Sequence, residues 1–267
     1  MDRYLLKNIM IIILALVNLF LLGALAIRQS SSYSARERTE EQLVALFAAD
    51  GMTLDAGQIS HKTPPQALTL ARDTEQERSA AVFLLGDAGL RLTQDGGADR
   101  YSTQRGTVQF RSNGGFDAAG TLSGEDGQET CREFCRRFSY EEPEFQLDNA
   151  GSGTATAHYQ AGKLPVYNCS VTFTLDSGQL LAVSGTLLSQ GDSAAAGEDR
   201  TPLSAAAALM AFQQLRRESY AVVSAITGIT LCYELQSAID TLVPAWCVAT
   251  DTGKYYVNCL TGVVTGG

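Results

Sequence analysis

Gly127-Gln128-Glu129-Thr130-Cys131-Arg132-Glu133-Phe134-Cys135-Arg136-Arg137-Phe138 is the stretch whose pattern decides the fold class. Cys131, Phe134, Cys135 and Phe138 stand at i, i+3, i+4 and i+7 while the charged residues fall elsewhere, so the spacing predicts a helix that buries this stripe. Three β-rich runs follow, near Thr154–Gln160, Lys163–Leu175 and Gln179–Leu188. Ala161-Gly162 and Asp176-Ser177-Gly178 separate them, and connections this short imply an antiparallel meander.

The pattern recurs toward the C-terminus. After a linker rich in Ala, Gly and Asp from about Gln190 to Arg200, Thr201 is expected to cap a helix with Pro202 at its first position. Ala205, Ala208, Leu209, Phe212 and Leu215 line one face of that helix. Four β-like runs follow, near Tyr220–Ile226, Ile229–Leu235, Leu242–Thr250 and Tyr255–Leu260. Leu164-Pro165-Val166-Tyr167 before Asp176-Ser177-Gly178 is echoed by Val243-Pro244-Ala245-Trp246 before Asp251-Thr252-Gly253, the punctuation of an internal duplication. The reading is an α+β chain with two modules, each a helix over a curled antiparallel sheet, in which Trp246 and Tyr167 are core aromatics.

Ahead of these lies a smaller α/β region. Leu43, Leu46 and Phe47 recur at helical spacing before the stop at Asp50-Gly51. Gln66 to Ala71 reads as a strand, and Asp73 with Gln76 resembles a capping box opening a helix to about Leu85, closed by Gly86. Gly106 to Gly115 alternates Val108 and Phe110 and reaches the turn Asn113-Gly114 before Phe116, which predicts a hairpin.

From Ile9 to Ile27 no residue carries a formal charge, and 13 of the 19 are Leu, Ile, Val or Phe. As a helix the stretch is about 28 Å long, close to a hydrocarbon core of about 30 Å, so it is read as one membrane span. Ala24-Leu25-Ala26 fits a signal-peptide cleavage pattern, but the apolar stretch exceeds the usual h-region, and retention as an anchor is preferred. The expected organisation is a cytoplasmic tail (1–8), the transmembrane helix (9–27), a stalk (28–39) opening on the polar run Arg28-Gln29-Ser30-Ser31-Ser32-Tyr33-Ser34, the N-terminal extracytoplasmic region (40–120), the first module (121–190), a linker (191–200) and the second module (201–267). Asn18 sits near the middle of the span, where an amide seeks a partner on another helix. Asn18, Phe20 and Leu22 are the candidate partner-binding residues.

Across the 267 residues, 45% are apolar and 18% charged, enough for a sizeable core; 20 Lys and Arg against 29 Asp and Glu give a net charge of −9, which disfavours nucleic acid as a partner. No catalytic, metal or cofactor site is expected. His61, in a Pro-flanked loop, and His158, in a meander strand, bring no recognisable nucleophile motif. The two histidines are far apart and no Cys-x-x-Cys occurs, so zinc is not expected. Glu141, Glu142 and Glu144 around Pro143 offer carboxylates but read as a solvated turn. Asp95-Gly96-Gly97 and Ser112-Asn113-Gly114-Gly115 are turns and not phosphate cradles. Cys131 and Cys135 cannot pair across an intact helical turn; with Cys169, Cys232, Cys247 and Cys259 they are read as free thiols, one cross-strand pair remaining open.

With the span, stalk and paired modules in place, the chain resembles the YycI/YycH regulatory family, membrane-anchored accessory proteins of the cell-wall two-component system YycF/YycG (WalR/WalK) of Gram-positive bacteria, YycI being the closer likeness. The resemblance is carried by Leu16-Val17-Asn18-Leu19-Phe20-Leu21-Leu22, Glu40-Glu41-Gln42-Leu43, Leu164-Pro165-Val166-Tyr167-Asn168, Leu242-Val243-Pro244-Ala245-Trp246 and Tyr255-Tyr256-Val257-Asn258, and covers most of the chain. It implies a non-enzymatic, single-pass protein with a cytoplasmic N-terminus and an extracellular body. Such a protein tunes a YycG/WalK-like sensor histidine kinase through transmembrane contacts, together with a YycH-like partner, as a hetero-oligomer. The six cysteines and the Gly/Ala-rich segments depart from the family. The closing unit, through Pro244-Ala245-Trp246 and Tyr255-Tyr256-Val257-Asn258, also looks like a PepSY-type module, which implies a binder or inhibitor of envelope proteases as the alternative.

Overall fold

The computed structural model describes residues 38–122, 124, 126–190, 201–219, 222–236 and 241–266. The apolar stretch 9–27 with Asn18, Phe20 and Leu22, and the linker 191–200, lie outside these residues. Among the described residues no helix is long and apolar enough to cross a membrane.

Helix α1 covers residues 38–49 and ends where expected, at Gly51, whose φ of 74° suits a residue without Cβ. Strand β1 (Leu68–Ala71) leads into α2 (Thr74–Leu85), capped by the Asp73 carboxylate, which accepts the N–H groups of Glu75 and Gln76. The hairpin of β4 (Gly106–Phe110) and β5 (Gly115–Gly120) forms as the sequence suggests. It is preceded by a hairpin whose turn, Asp95-Gly96-Gly97, is read in the sequence but whose strands are not, β2 (Arg91–Asp95) with β3 (Ala98–Ser102). Gly96 (φ 57°) and Gly97 (φ 85°) make its turn of the left-handed kind that matches strand twist.

Helix α3 (Gly127–Arg137) is capped by Asp126 and buries Cys131, Phe134 and Cys135, with Phe138 closing the stripe. The meander follows as β6 (Glu144–Leu147), β7 (Gly153–Ala161), β8 (Leu164–Asp176) and β9 (Gln179–Thr186), then the short β10 (Ser189–Gln190). Helix α4 (Ala205–Ser219) precedes β11 (Ile226–Gln236), β12 (Thr241–Thr250), β13 (Lys254–Asn258) and β14 (Val264–Gly266).

Two expectations are corrected here. Helix α4 starts at Ala205 and not at Pro202, because Leu203 is held by the sheet: its N–H donates to the Cys259 carbonyl (2.8 Å) and its carbonyl accepts the Trp246 indole N–H (2.8 Å). Ser204 therefore caps the helix, its hydroxyl accepting the Ala207 N–H at 3.3 Å. Among the described residues, the runs expected near Tyr220–Ile226 and Ile229–Leu235 give one strand, β11 (Ile226–Gln236), with a bulge between Ile226 and Gly228.

The strands join in one sheet, ordered β10-β1-β12-β11-β8-β9-β5-β4-β3-β2, with β13 and β14 beyond β12 and β6 and β7 beyond β8. Every pairing is antiparallel except β8 with β11.

Buried residues fall into two cores. In the first, the Phe134 ring stands 4.6–6.1 Å from those of Phe83, Phe116, Phe138, Tyr140 and Phe173. A fully buried side chain of this kind contributes about 1.5–3 kcal/mol. In the second, Leu43 and Phe47 of α1 pack with Leu209 and Phe212 of α4 and with Trp246 and Val257 of the sheet. Residues expected to form an N-terminal region of their own thus divide between the cores: α1 and Met52, Leu54 and Ile59 join the second, α2 and β3–β5 the first. Strand β11 serves both, with Ile229 and Leu231 in the second core and Tyr233 and Leu235 in the first.

Candidate functional site

The two modules meet where β8 lies beside β11. Val166 pairs in register with Tyr233, and on the other side of β11 Tyr233 pairs with Pro244. The two Pro-containing motifs that sequence punctuation set in parallel therefore flank one residue. Past Val166, the Asn168 side chain continues the ladder: its Nδ2 donates to the Leu235 carbonyl (2.8 Å) and its Oδ1 accepts the Leu235 N–H (2.7 Å). An amide side chain here replaces a second backbone pair.

Tyr167 stacks face to face on Tyr256 of β13, centroids 3.6 Å apart and planes 7° from parallel. Its hydroxyl donates to Glu234 Oε1 (3.1 Å) and lies 3.3 Å from the Thr265 hydroxyl; Asn258 Nδ2 donates to Glu234 Oε2 (3.0 Å). Burial pushes the Tyr256 phenol up to about 12 and also raises that of Tyr167. Both hydroxyls are therefore protonated donors at neutral pH, and what this cluster offers is stacking and hydrogen bonding. Tyr167 was expected in a core; it is half-buried at the module boundary instead, whereas Trp246 is fully buried.

A second cluster ties α1 to α4. The Asp50 carboxylate, at the end of α1, accepts from Arg217 Nε (3.0 Å) and Nη2 (2.6 Å) and from the Gln213 amide, while Arg216 Nη2 donates to the Asp50 carbonyl (3.2 Å). The Arg217 guanidinium holds the Asp50 carboxyl below its usual range. At the other end of α1, a groove of about 420 Å3 opens between Glu40, the loop His61-Lys62-Thr63 and the start of α4. His61 Nδ1 stands 3.5 Å from Glu40 Oε1.

The remaining sequence candidates lie apart from these clusters. His158 sits within β7, in register with Ser170, so the fold does not unite it with His61. Glu141 and Glu142, with Arg132 and Arg136, line a pocket of about 300 Å3 beside α3, where Glu142 is 4.0 Å from Arg132 and Glu141 accepts from Gln160 (3.4 Å). Glu144 is exposed on β6. All six cysteines are free thiols.

One charged cluster escaped the sequence. Arg72 donates to Glu77 through Nε (2.6 Å) and Nη2 (2.8 Å) and to Asp99 Oδ2 (2.6 Å), while Gln94 Nε2 donates to Asp99 Oδ1 (2.8 Å). Glu77 is 1% exposed. Only the helical register of Glu77, which places it among the buried residues of α2, could have pointed to it.

No family model and no curated protein matches the chain. Among solved structures the chain is similar to the crystal structure of YycH from Bacillus subtilis, at 13% identity and a TM-score of 0.37. The match covers 78% of this chain and 55% of that one, so the chain spans little more than half of that structure. At that TM-score the likeness does not establish a shared fold.

Proposed function

We propose that this chain is a membrane-anchored extracytoplasmic accessory regulator of a sensor histidine kinase controlling cell-wall homeostasis, acting through transmembrane and extracellular protein–protein contacts. The observation that carries the reading is the attachment of α1. The apolar stretch ends at Ile27, and α1, described from residue 38, follows it closely in the sequence. Helix α1 is in turn fixed to α4 through Leu43, Phe47 and the Asp50 cluster. On this reading a pull on the N-terminal segment acts on α1 and so on the second core, which β11 joins to the first.

On this reading residues 1–8 are cytoplasmic, 9–27 cross the cell membrane once and the body lies outside. The resemblance to the YycI/YycH family supplies the partners, a YycG/WalK-like kinase and a YycH-like protein. Asn18, Phe20 and Leu22 meet them within the bilayer, where Asn18 offers a hydrogen bond to a neighbouring helix. The sign of regulation follows from which kinase state the span binds better.

Co-purification in mild detergent tests this. The intact chain, co-expressed with the sensor kinase and the YycH-like protein, is expected to retain the kinase. A chain whose residues 9–27 are replaced by an unrelated apolar helix is expected to lose it. Equal retention by both chains, or recovery of a mature chain trimmed behind Ala26 in the medium, would overturn the proposal. A soluble fragment that inhibits envelope proteases would favour the PepSY-type alternative.

A further inference from the structure

Strand β2 closes one end of the sheet. Among the described residues it pairs only with β3, in a regular ladder from Arg91 opposite Ser102 to Asp95 opposite Ala98, without a bulge. Arg91, Leu92, Thr93 and Gln94 are all exposed, Leu92 by 51%, so the strand's outer edge offers its backbone N–H and C=O groups to solvent. Edge strands are ordinarily protected by charged side chains, Pro, a bulge, shortness or a covering element; β2 has no Pro or bulge, and its charges stand only at its two ends, Arg91 and Asp95.

The strand's sequence is complementary to its own reverse. Set antiparallel about Thr93, Arg91-Leu92-Thr93-Gln94-Asp95 places Arg91 opposite Asp95 of a second copy at both ends, Leu92 opposite Gln94, and Thr93 opposite Thr93. The parallel alignment sets Arg opposite Arg and Asp opposite Asp, which like-charge repulsion disfavours. We infer that β2 is a self-association edge, through which two copies of this chain join antiparallel across a two-fold axis at Thr93 and extend one sheet through both molecules.

The arrangement is isologous and closes at two, because each copy has one such edge and uses it once. It gives the exposed Leu92, beside Leu90 and Tyr101, a covering strand. A contact built on five residues is weak in dilute solution, and attachment to one surface raises its effective concentration. The inference is independent of any kinase partner, so its failure and that of the proposed function are separately visible.

Disulfide trapping of the full chain in membrane vesicles tests it. Facing Cα atoms of antiparallel strands lie about 4.5–5.5 Å apart, within the roughly 4.4–6.8 Å that a disulfide spans. Thr93→Cys is therefore expected to give a covalent dimer under copper–phenanthroline oxidation, several-fold more than Leu181→Cys, an exposed control on β9, or the unsubstituted chain. Adding Arg91→Asp to Thr93→Cys should reduce the dimer to control level, and Arg91→Asp with Asp95→Arg should restore it. Dimer from Thr93→Cys no greater than control overturns the inference. So does an unchanged yield with Arg91→Asp, a failure of the double reversal to restore the dimer, or trapping of a different protein in place of a second copy.

Discussion

Tyr167 and Tyr256 stack with their ring centroids 3.6 Å apart, yet they belong to strands of different modules. Beside them Asn168 holds both backbone groups of Leu235, and Glu234 receives the Tyr167 hydroxyl and the Asn258 amide. The boundary between the modules is thus sealed by side chains on both faces of a short parallel contact. Such polar seals act only in one geometry, which fixes the angle between the two cores as apolar contact alone does not.

Replacing Asn168 by Ala removes both hydrogen bonds to Leu235 and should cost about 1 kcal/mol, since Asn168 is exposed and water can take over part of the pairing. Asn168→Asp keeps the acceptor but sets a carboxylate oxygen against the Leu235 carbonyl, and should be no more stable than the Ala variant. Urea unfolding followed by the fluorescence of Trp246, the single tryptophan, measures this; an unchanged midpoint for the Ala variant would show that the amide does not join the modules.

Asp50 predicts a pH dependence. Its carboxyl pKa is depressed from 3.8 by Arg217. A depressed carboxylate stabilises the fold above its unfolded value and loses that contribution as pH falls through the folded value. Asp50→Asn should therefore be less stable than the natural chain at pH 7, with the gap narrowing below about pH 4. Denaturant midpoints of the two chains at both pH values check the convergence.

The thiols of Cys131, Cys135, Cys169 and Cys259 are pushed up to about 12 by burial, and burial also raises Cys232 and Cys247. Only Cys247 is partly exposed. Alkylation of the native protein at pH 8 should label Cys247 first and the other five only in denaturant, as read by mass spectrometry. Because the raised values favour the protonated thiol in the folded state, the stability they confer is present below the ordinary value of 9.0 and is lost as pH rises from there toward 12.

Arg72→Ala would leave Glu77, 1% exposed, and Asp99, 7% exposed, facing each other without a cation. The expected loss is about 3–5 kcal/mol. Glu77→Gln added to Arg72→Ala should recover part of it, and thermal unfolding of the single and double variants distinguishes a lost charge pair from lost packing.

Asn18→Leu should weaken association with helices in the membrane while leaving insertion intact, because it removes the one amide from an otherwise apolar stretch. Crosslinking in vesicles or a membrane two-hybrid assay reads the change, and undiminished association would remove Asn18 from the interface.

What was legible in the sequence was local. The Cys131–Phe138 stripe, the Asp73 cap and the Asn113-Gly114 turn each carry their signal within a few residues, and each appears where expected. Strands β2 and β3 were missed because Arg91, Leu92, Thr93 and Gln94 are all exposed and give β2 no alternation, while one of the two residues that β3 buries, Asp99 beside Tyr101, is charged. At Thr201-Pro202 a good local cap was overruled by distant partners, Cys259 and Trp246. The junction was hidden for the same reason: Asn168 meets Leu235 from 67 residues away, and nothing near Asn168 marks it as a substitute for a backbone pair.

Because Leu43 and Phe47 share a core with residues as late as Cys259, the order of synthesis matters. The first core, built largely of residues between Leu70 and Leu188, can consolidate while the ribosome is still working. The earliest helix has to wait, its greasy side wet, until nearly the last strand has emerged. A nascent chain halted before Cys259 therefore presents Phe47 to whatever escorts it, and premature termination is betrayed at the opposite end of the polypeptide.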